Sequence, residues 1–188
     1  MYDFVDQKRI IYITFAIILL ISSVLAPLAM FYPLKVIFIT PEATAVGTSY
    51  ISLITGGFGI ALIAAGLFAL ALIDIRMKKY LAAGLLFAAG IGGVLLSLSD
   101  YYYMTTDEFT YNGPFSISSQ SYKWEDFEKI EERIGKEDNT QTVQSIAMYL
   151  KNGDVIEMSS GKIFEMRGDL VNRIEQAGGL YKRVDLEQ

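Results

Sequence analysis

The sequence predicts an integral membrane protein in which an α-helical anchor of three transmembrane helices precedes a soluble α+β domain. Two observations lead to this fold class. Three long apolar runs fill residues 1–99, and none follows Asp100. The charge also changes there: the first 99 residues carry six Lys and Arg against four Asp and Glu, whereas the last 89 carry ten against seventeen. The predicted domains are therefore residues 1–99, the anchor, and residues 100–188, the soluble domain.

Each apolar run is long enough to cross a bilayer, which takes about 20 apolar residues. The predicted helices cover approximately residues 10–30, 51–73 and 81–98, and they contain no Asp, Glu, Lys or Arg. Ion pathways and proton relays usually need ionisable groups within the membrane. The three runs therefore favour an anchor over a transporter or channel.

The first run also has features of a signal peptide. Lys8 and Arg9 precede it, and residues 24–26 resemble a cleavage site. However, the run is longer than a usual signal-peptide core, and Pro27 would follow the cut. We interpret the run as a retained helix that Pro27 kinks or ends.

Small residues recur every four positions in the second and third runs, which places them on one face of each helix. Such faces let helix backbones approach closely. We predict a packing face, either between these two helices or with a partner protein, although Gly and Ala are common in membrane helices in general. The predicted helix-packing residues are Gly57, Ala61, Ala65, Ala69, Gly84, Ala88 and Gly92, with a second row of Ala89, Gly93 and Ser97 beside the last three.

The distribution of Lys and Arg predicts the orientation in the membrane. Five cations flank the predicted helices on one side of the membrane. On the other side Lys35 is the only cation near the helices, because the soluble half has no Lys or Arg before Lys123. The five are Lys8, Arg9, Arg76, Lys78 and Lys79. We expect a multi-pass protein of the plasma (inner) membrane, with a cytoplasmic amino terminus and an extracytoplasmic carboxyl-terminal domain. Residues 36–40 then lie on the outer side of the membrane. They are expected to form a short strand, to lie against the membrane or to form an irregular loop.

Strand and turn signals dominate the first two thirds of the soluble half. Aromatic runs at 101–104 and 109–111 predict two strands joined by a polar turn. Asn152-Gly153 suits a type I′ turn and predicts a hairpin between 142–150 and 155–158. Alternating apolar residues on both arms of that hairpin indicate one buried face.

The pattern changes after the hairpin. Between Ile163 and Ala177 the apolar spacing becomes helical, and Gly178-Gly179 supplies a stop. Strands followed by a helix indicate an α+β domain in which the helix covers the sheet. Residues 136–140 are interpreted as a charged loop between strands.

The carboxyl-terminal half resembles the bacterial pleckstrin-homology-like (PH-like) domains, which often follow transmembrane helices. The resemblance rests on residues 122–127 (YKWEDF), on the hairpin at 150–156 (LKNGDVI) and on the closing helix. It implies a curved, seven-stranded, barrel-like sandwich plugged by its C-terminal helix, and an interaction module rather than an enzyme. The first hairpin turn, 105–108 (TTDE), lacks the Lys and Arg cluster of lipid-binding members, so we expect no phosphoinositide binding.

Aromatic residues are the candidate contact sites. Tyr101, Tyr102 and Tyr103 directly follow the third helix, as in an aromatic belt at the membrane interface, with alternate members facing the sheet core. Trp124 is interpreted as a core residue, with an interface hot spot as the alternative. The acidic residues between 125 and 132 match neither a calcium loop nor a catalytic dyad, and we interpret them as a solvated strand edge.

The composition excludes several kinds of chemistry. The chain has neither Cys nor His, so it lacks the usual nitrogen and sulfur ligands of zinc, haem and copper sites. A Cys nucleophile and a His base are excluded for the same reason. The acidic second half offers no basic stripe to neutralise phosphates, which argues against nucleic-acid binding. We therefore predict no catalytic residue, no metal and no cofactor.

Three hypotheses about function follow. The first is a non-enzymatic accessory or scaffold protein, which would be a small subunit of a membrane protein complex or a docking factor for one. It would lie in the lipid bilayer and bind a membrane-protein partner through its small-residue helix faces. The alternative is an envelope sensor or immunity-type protein whose outer domain binds a ligand or toxin. The third, an enzyme acting on lipid or envelope polymer, would depend on carboxylates alone.

Overall fold

A computed structural model describes residues 7–39, 42–137 and 140–186. The chain forms two compact units, each assembled from several segments. The helical unit contains Met1–Phe38, Ile51–Asp100 and Pro114–Ile117. The sheet unit contains Ile39–Tyr50, Tyr101–Gly113 and Ser118–Gln188.

The helical unit contains three stretches that are long and apolar enough to cross a membrane: Gln7–Phe38, Tyr50–Leu72 and Arg76–Ser99. The prediction of three membrane helices is confirmed at this level. The first stretch comprises α1 (Gln7–Ala26), a π-helical turn (Pro27–Phe31) and α2 (Tyr32–Phe38), and the other two are α3 (Tyr50–Leu72) and α4 (Arg76–Ser99).

Pro27 does not end the first helix. Proline has no N–H to donate to the carbonyl four residues earlier, which here is that of Ser23. The chain passes this point through the π-helical turn and continues to Phe38. Wider turns of this kind are a usual way for a helix to accommodate a local break in its hydrogen-bond ladder. Residues 36–38 are therefore helical, and Lys35 lies within the helical stretch rather than beyond it.

The sheet unit contains two four-stranded sheets. The first has the order β1-β2-β3-β4, with every neighbouring pair antiparallel. The second has the order β7-β6-β5-β8, in which β5 and β8 pair in parallel. The strands are β1 (Ala45–Gly47), β2 (Tyr101–Met104), β3 (Glu108–Asn112), β4 (Gln120–Lys123), β5 (Phe127–Glu137), β6 (Thr140–Leu150), β7 (Val155–Met158) and β8 (Leu180–Asp185).

Two short helices complete this unit and cover its core. They are α5 (Lys162–Glu165) and α6 (Arg167–Gln176), and a 3-10 turn, Trp124–Asp126, joins β4 to β5. Ile163, Leu170 and Ile174 are fully buried against residues of both sheets. The α+β class is confirmed, because the helical stretch packs on the strands, although the structure divides the single predicted helix into α5 and α6 at Met166.

The predicted hairpin and helix stop are both present, but the hairpin turn is not type I′, because Asn152 lacks the positive φ that this turn requires at both central residues. β6 and β7 pair antiparallel on either side of Asn152-Gly153, where Gly153 has a φ of 93°. Gly178 has a φ of 92° just after α6, and the N–H of Gly179 donates to the Ile174 carbonyl at 2.8 Å. Positive φ values favour glycine, which explains its place at both positions.

Two interpretations of the second sheet are wrong. Residues 136, 137 and 140 belong to strands and not to a charged loop, while 138 and 139 lie outside the described residues. β5 is also not an edge strand, because β8 returns after α6 and pairs with it through six residues, from Lys129↔Leu180 to Ile134↔Asp185. The helix α6 is consequently followed by a strand. Of the acidic residues, Glu128, Glu131 and Glu132 lie on a central strand, whereas Glu125 and Asp126 lie in the 3-10 turn.

Candidate functional site

The sheet unit contains an open groove of about 660 Å³. We call it the Trp124 groove. It lies between the β2–β3 turn, the 3-10 turn and the end of α6. Its lining residues are Thr106, Asp107, Glu108, Lys123, Trp124, Glu125, Arg173, Gln176 and Ala177.

Trp124 forms the floor of this groove and belongs to the hydrophobic core. It is 6% exposed, and its ring packs against Phe109 and Phe127, with centroids 6.3 and 5.9 Å away. Its indole N–H donates to the Thr106 carbonyl at 2.9 Å. The core interpretation of Trp124 agrees with this burial. Its single polar atom is also satisfied, as a buried indole requires.

Arg173 fixes one wall of the groove. Its guanidinium lies 5.5 Å from the Trp124 ring and donates from Nη1 to the carbonyls of Thr105 and Thr106, at 3.0 and 3.1 Å. The turn that carries these carbonyls is closed by Thr105, whose N–H donates to the Glu108 carbonyl and whose hydroxyl accepts from the Glu108 N–H. The backbone of the β2–β3 turn and the Trp124 ring are therefore held in place, which makes this part of the groove preformed.

The charge of the groove is mainly acidic. Asp107, Glu108 and Glu125 contribute three carboxylates, whereas Lys123 is the other cation beside Arg173. The Arg173 charge is partly directed to main-chain carbonyls. A groove of this composition is suited to binding a cationic or amide-bearing segment. Sequence analysis did not detect the contact of Arg173 with Trp124, because no local spacing indicates it.

The three consecutive tyrosines alternate across β2. Tyr102 is buried and its hydroxyl donates to the Thr48 carbonyl at 3.3 Å. Tyr101 and Tyr103 lie on the opposite face, with stacked rings whose centroids are 6.3 Å apart. The close contact of Tyr102 with Gly47 and Gly161 explains why small residues occur there, since a Cβ at either would overlap its ring or hydroxyl.

The contact between α3 and α4 uses Gly59 and Gly90, which lie outside the predicted rows, and Gly93, which belongs to the predicted second row. A Cβ on Gly59 would lie 2.8 Å from the Gly90 carbonyl oxygen and from the Val94 nitrogen, and one on Gly93 would lie 3.2 Å from the Gly59 Cα. A Cβ on Gly84 or Gly92 would meet nothing within 4 Å. The face of Gly84, Ala88 and Gly92 therefore does not form this contact.

The predicted row on α3 is partly buried. Gly57, Ala61, Ala65 and Ala69 are all of intermediate exposure. Gly57 faces α1, since a Cβ there would lie 2.7 Å from the Ser23 carbonyl oxygen. That is the carbonyl to which Pro27 cannot donate, so α3 closely approaches α1 where the first helix is irregular.

A buried polar cluster joins α2, α3 and α4, and we call it the Lys35 cluster. Lys35 is 5% exposed and donates to the Ser52 hydroxyl at 3.0 Å and to the Asp100 carbonyl at 2.5 Å. Ser52 and Ser97 exchange hydrogen bonds, each hydroxyl donating to the other residue's carbonyl at 2.7 Å. The ammonium thus lies at the carboxyl end of α4, where a positive charge is favourable. Sequence analysis treated Lys35 only as a flanking cation.

A second polar cluster surrounds Glu132 in the sheet unit. Glu132 is 6% exposed, and its Oε2 accepts from the Tyr181 hydroxyl at 2.6 Å and from Arg183 Nε at 3.3 Å. Its Oε1 lies 3.5 Å from Arg167 Nε. Burial, followed by the hydrogen bond to Glu132, raises the pKa of Tyr181. The interpretation of this part of the acidic run as solvated is therefore wrong for Glu132.

The neighbouring acidic residue on β5 has a different environment. The side chain of Glu131 accepts a hydrogen bond from Lys129 at 2.7 Å, which lowers the pKa of that carboxyl. Lys129 also lies 3.9 Å above the Tyr149 ring. Within residues 7–39, 42–137 and 140–186, no group of three or more acidic side chains is placed to hold a metal ion.

The chain gives no match to protein-family models, to curated proteins or to solved structures. Functional inference therefore depends on the geometry of the two units.

We expect Arg173→Ala to lower the free energy of unfolding by about 2 kcal/mol, because two hydrogen bonds to carbonyls and a cation–π contact are lost. The emission of Trp124, the sole tryptophan, reports both unfolding by urea and exposure of the groove floor. Lys182→Ala, at an exposed position of β8, is the matched control and should change stability little. Equal effects of the two substitutions would show that Arg173 does not hold the groove.

Proposed function

We propose that this protein is a non-enzymatic accessory protein of a membrane complex, a small subunit or docking factor whose sheet unit binds another protein. The observation that carries the proposal is the Trp124 groove, a partly preformed concave surface with an aromatic floor and an acidic rim. Contact surfaces with aromatic anchors are typical of protein interfaces. The groove also offers neither a Cys nucleophile nor a His base, which are absent from the chain.

Site-specific photo-crosslinking in native membranes tests this proposal. A photoreactive residue at Gln176, an exposed position of the groove lining, should give a discrete adduct with another membrane-associated protein. The matched position is Lys151, which is exposed in the β6–β7 turn and should give none. Glu125→Lys, which reverses one charge of the groove lining, should reduce the Gln176 adduct. If the photoreactive residue at Gln176 yields only the protein without a crosslinked partner, the result contradicts the proposal.

We further propose that the sheet unit is a PH-like domain. The YKWEDF segment, which forms the end of β4, the 3-10 turn and the start of β5, supports this, as do the β6–β7 hairpin and the packing of α6 on the core. Two features depart from the expected pattern: the strands form two separate sheets, and β8 follows the helix. An experimental structure of the full chain showing sheets that close around α6 would support membership, and sheets that stay separate would argue against it.

For the orientation, we propose a cytoplasmic amino terminus and an extracytoplasmic sheet unit in the plasma (inner) membrane. The excess of cations near Arg76 and near the amino terminus supports it. We expect protease added to intact spheroplasts to degrade the sheet unit and to leave the helical unit in the membrane. A sheet unit that resists digestion until the membrane is broken would reverse the orientation.

A further inference from the structure

We propose that the segment Pro114–Ile117 inserts into the bilayer interface and is a lipid-contacting element in addition to the three helices. This segment connects β3 to β4 but belongs to the compact helical unit. The hydroxyl of Ser99, at the end of α4, donates to the Ser116 carbonyl at 3.1 Å. The segment is thus attached to the end of a helix that is apolar enough to cross a membrane.

The depth of the segment follows from its neighbours. Pro114 and Phe115 line a small crevice together with Thr55 and Leu96. Thr55 is five residues into α3 and Leu96 is three residues from the end of α4, which places them about 7 and 5 Å inside the helix ends at 1.5 Å per residue. Helices of this length, about 35 Å, extend only a few ångströms beyond a hydrocarbon core of about 30 Å. Phe115 therefore lies at the level of the acyl boundary.

The side chains of the segment suit that position. Phe115 is 65% exposed and Ile117 is 87% exposed, so neither is covered by the protein. The chain carries no Asp, Glu, Lys or Arg between Glu108 and Lys123, so no charged residue of this stretch would have to be desolvated. Exposed apolar side chains beside helices that are apolar enough to cross a membrane favour lipid as the occupant.

The backbone of Phe115 supports the same conclusion. Its φ of 68° is the one positive value among the described residues other than glycine. A bulky side chain in the left-handed region is unfavourable and persists where the surroundings hold it. Here the Phe115 ring is exposed beside Thr55 of α3 and Leu96 of α4, where insertion into lipid would provide the compensating burial.

Because the chain has no cysteine, single cysteines allow a direct test with the full-length protein in vesicles of phosphatidylcholine and phosphatidylglycerol. Ile117→Cys, labelled with an environment-sensitive fluorophore, should emit at shorter wavelength than labelled Lys151→Cys in the exposed β6–β7 turn. Its emission should also be quenched by lipid carrying a spin label near the headgroup end of the acyl chain. Leu95→Cys, on the exposed surface of α4, is the positive control for lipid contact.

Two results would overturn the inference. A label at Ile117 that emits like the Lys151 label and is not quenched would place the segment in water. A label that is shielded from water but unaffected by spin-labelled lipid would show that the segment is covered by this protein itself, within one molecule or between two copies. Reaction of unlabelled Ile117→Cys with a membrane-impermeant maleimide is a second measurement, and it should be slower than that of Lys151→Cys. The vesicles contain no other protein, so either failure leaves the proposed accessory function untouched.

Discussion

Replacing Gly59 by valine should lower the free energy of unfolding of the helical unit by on the order of 3 kcal/mol, because the new side chain meets backbone atoms that cannot rotate away. A Cβ at this position would lie 2.8 Å from both the Gly90 carbonyl oxygen and the Val94 nitrogen. The contact is reciprocal, since a Cβ on Gly90 would lie 2.7 Å from the Gly59 carbonyl oxygen. Only separation of α3 and α4 relieves this overlap.

The matched control is Gly92→Val. Gly92 is on the same helix as Gly90, but a Cβ there would meet nothing within 4 Å. Valine is a somewhat better helix residue than glycine, so the control should leave stability unchanged or slightly higher. Thermal unfolding of the purified protein in mild detergent measures both variants, and Gly59→Ala should fall between the wild type and Gly59→Val.

A loss of stability that is the same for Gly59→Val and Gly92→Val would contradict the assigned contact. It would mean that any enlargement of a glycine in these helices is unfavourable, independently of the neighbouring helix. If instead only Gly92→Val is destabilised, the contact face is the predicted row of Gly84, Ala88 and Gly92. The two variants therefore decide which glycine row brings the helices together.

The glycine rows show how far sequence reasoning reached in the helical unit. The existence of three membrane helices followed directly from run length, because a bilayer imposes about 20 apolar residues. The packing face was predicted only in part: Gly93 and Ser97 of the second row contact α3, whereas Gly84 and Gly92 of the first row do not. Which row is used depends on the bulk of the opposing residues: Ile63 faces Gly90, and Phe87 fills the space beside Gly66.

Lys35 shows a second limit in this unit. A cation near the end of an apolar run is usually counted as a flanking residue, as it was for the orientation. Its burial depends on Ser52 and on the end of α4, which are 17 and 65 residues away along the chain. Composition and local spacing carry no information on such contacts.

In the sheet unit, local signals were again the reliable ones. The Asn152-Gly153 turn and the Gly178 helix stop depend on backbone conformations that glycine adopts readily. The parallel pairing of β8 with β5 joins residues about 50 positions apart, and β8 has an almost wholly exposed burial pattern without a clear alternation. Consequently β5 was interpreted as an edge, and Glu132 as a solvated residue.

Glu132→Gln tests that correction, and we expect it to lower the free energy of unfolding of the sheet unit by about 2 kcal/mol. The amide loses the charge that faces Arg167 and Arg183 and replaces one acceptor with a donor. The side chains of the two arginines are 37% and 67% exposed, so they stay partly hydrated. The loss should therefore be smaller than for a fully buried ion pair.

The effect should be concentrated in β8. The side chains of β8 are mostly exposed. Apart from the backbone hydrogen bonds, the strand is therefore attached to β5 mainly by the contacts of Tyr181 and Arg183 with Glu132. Hydrogen exchange should accelerate over Leu180–Asp185 more than over β6 in Glu132→Gln. The pKa of Tyr181, which the hydrogen bond to Glu132 helps to raise, should also move back towards 10.0.

Glu128→Gln is the matched control, because Glu128 is on the same strand but exposed. It removes an identical charge and should leave both unfolding by urea and exchange in β8 unchanged. The raised pKa of Tyr181 also determines how the stability of the sheet unit depends on pH. The neutral phenol donates to Glu132, so its contribution to stability is complete below pH 10.0 and is lost as the pH rises through the pKa of Tyr181 in the folded protein. If Glu132→Gln and Glu128→Gln behave alike at pH 7, the backbone ladder alone holds β8, and the buried carboxylate contributes nothing to its attachment.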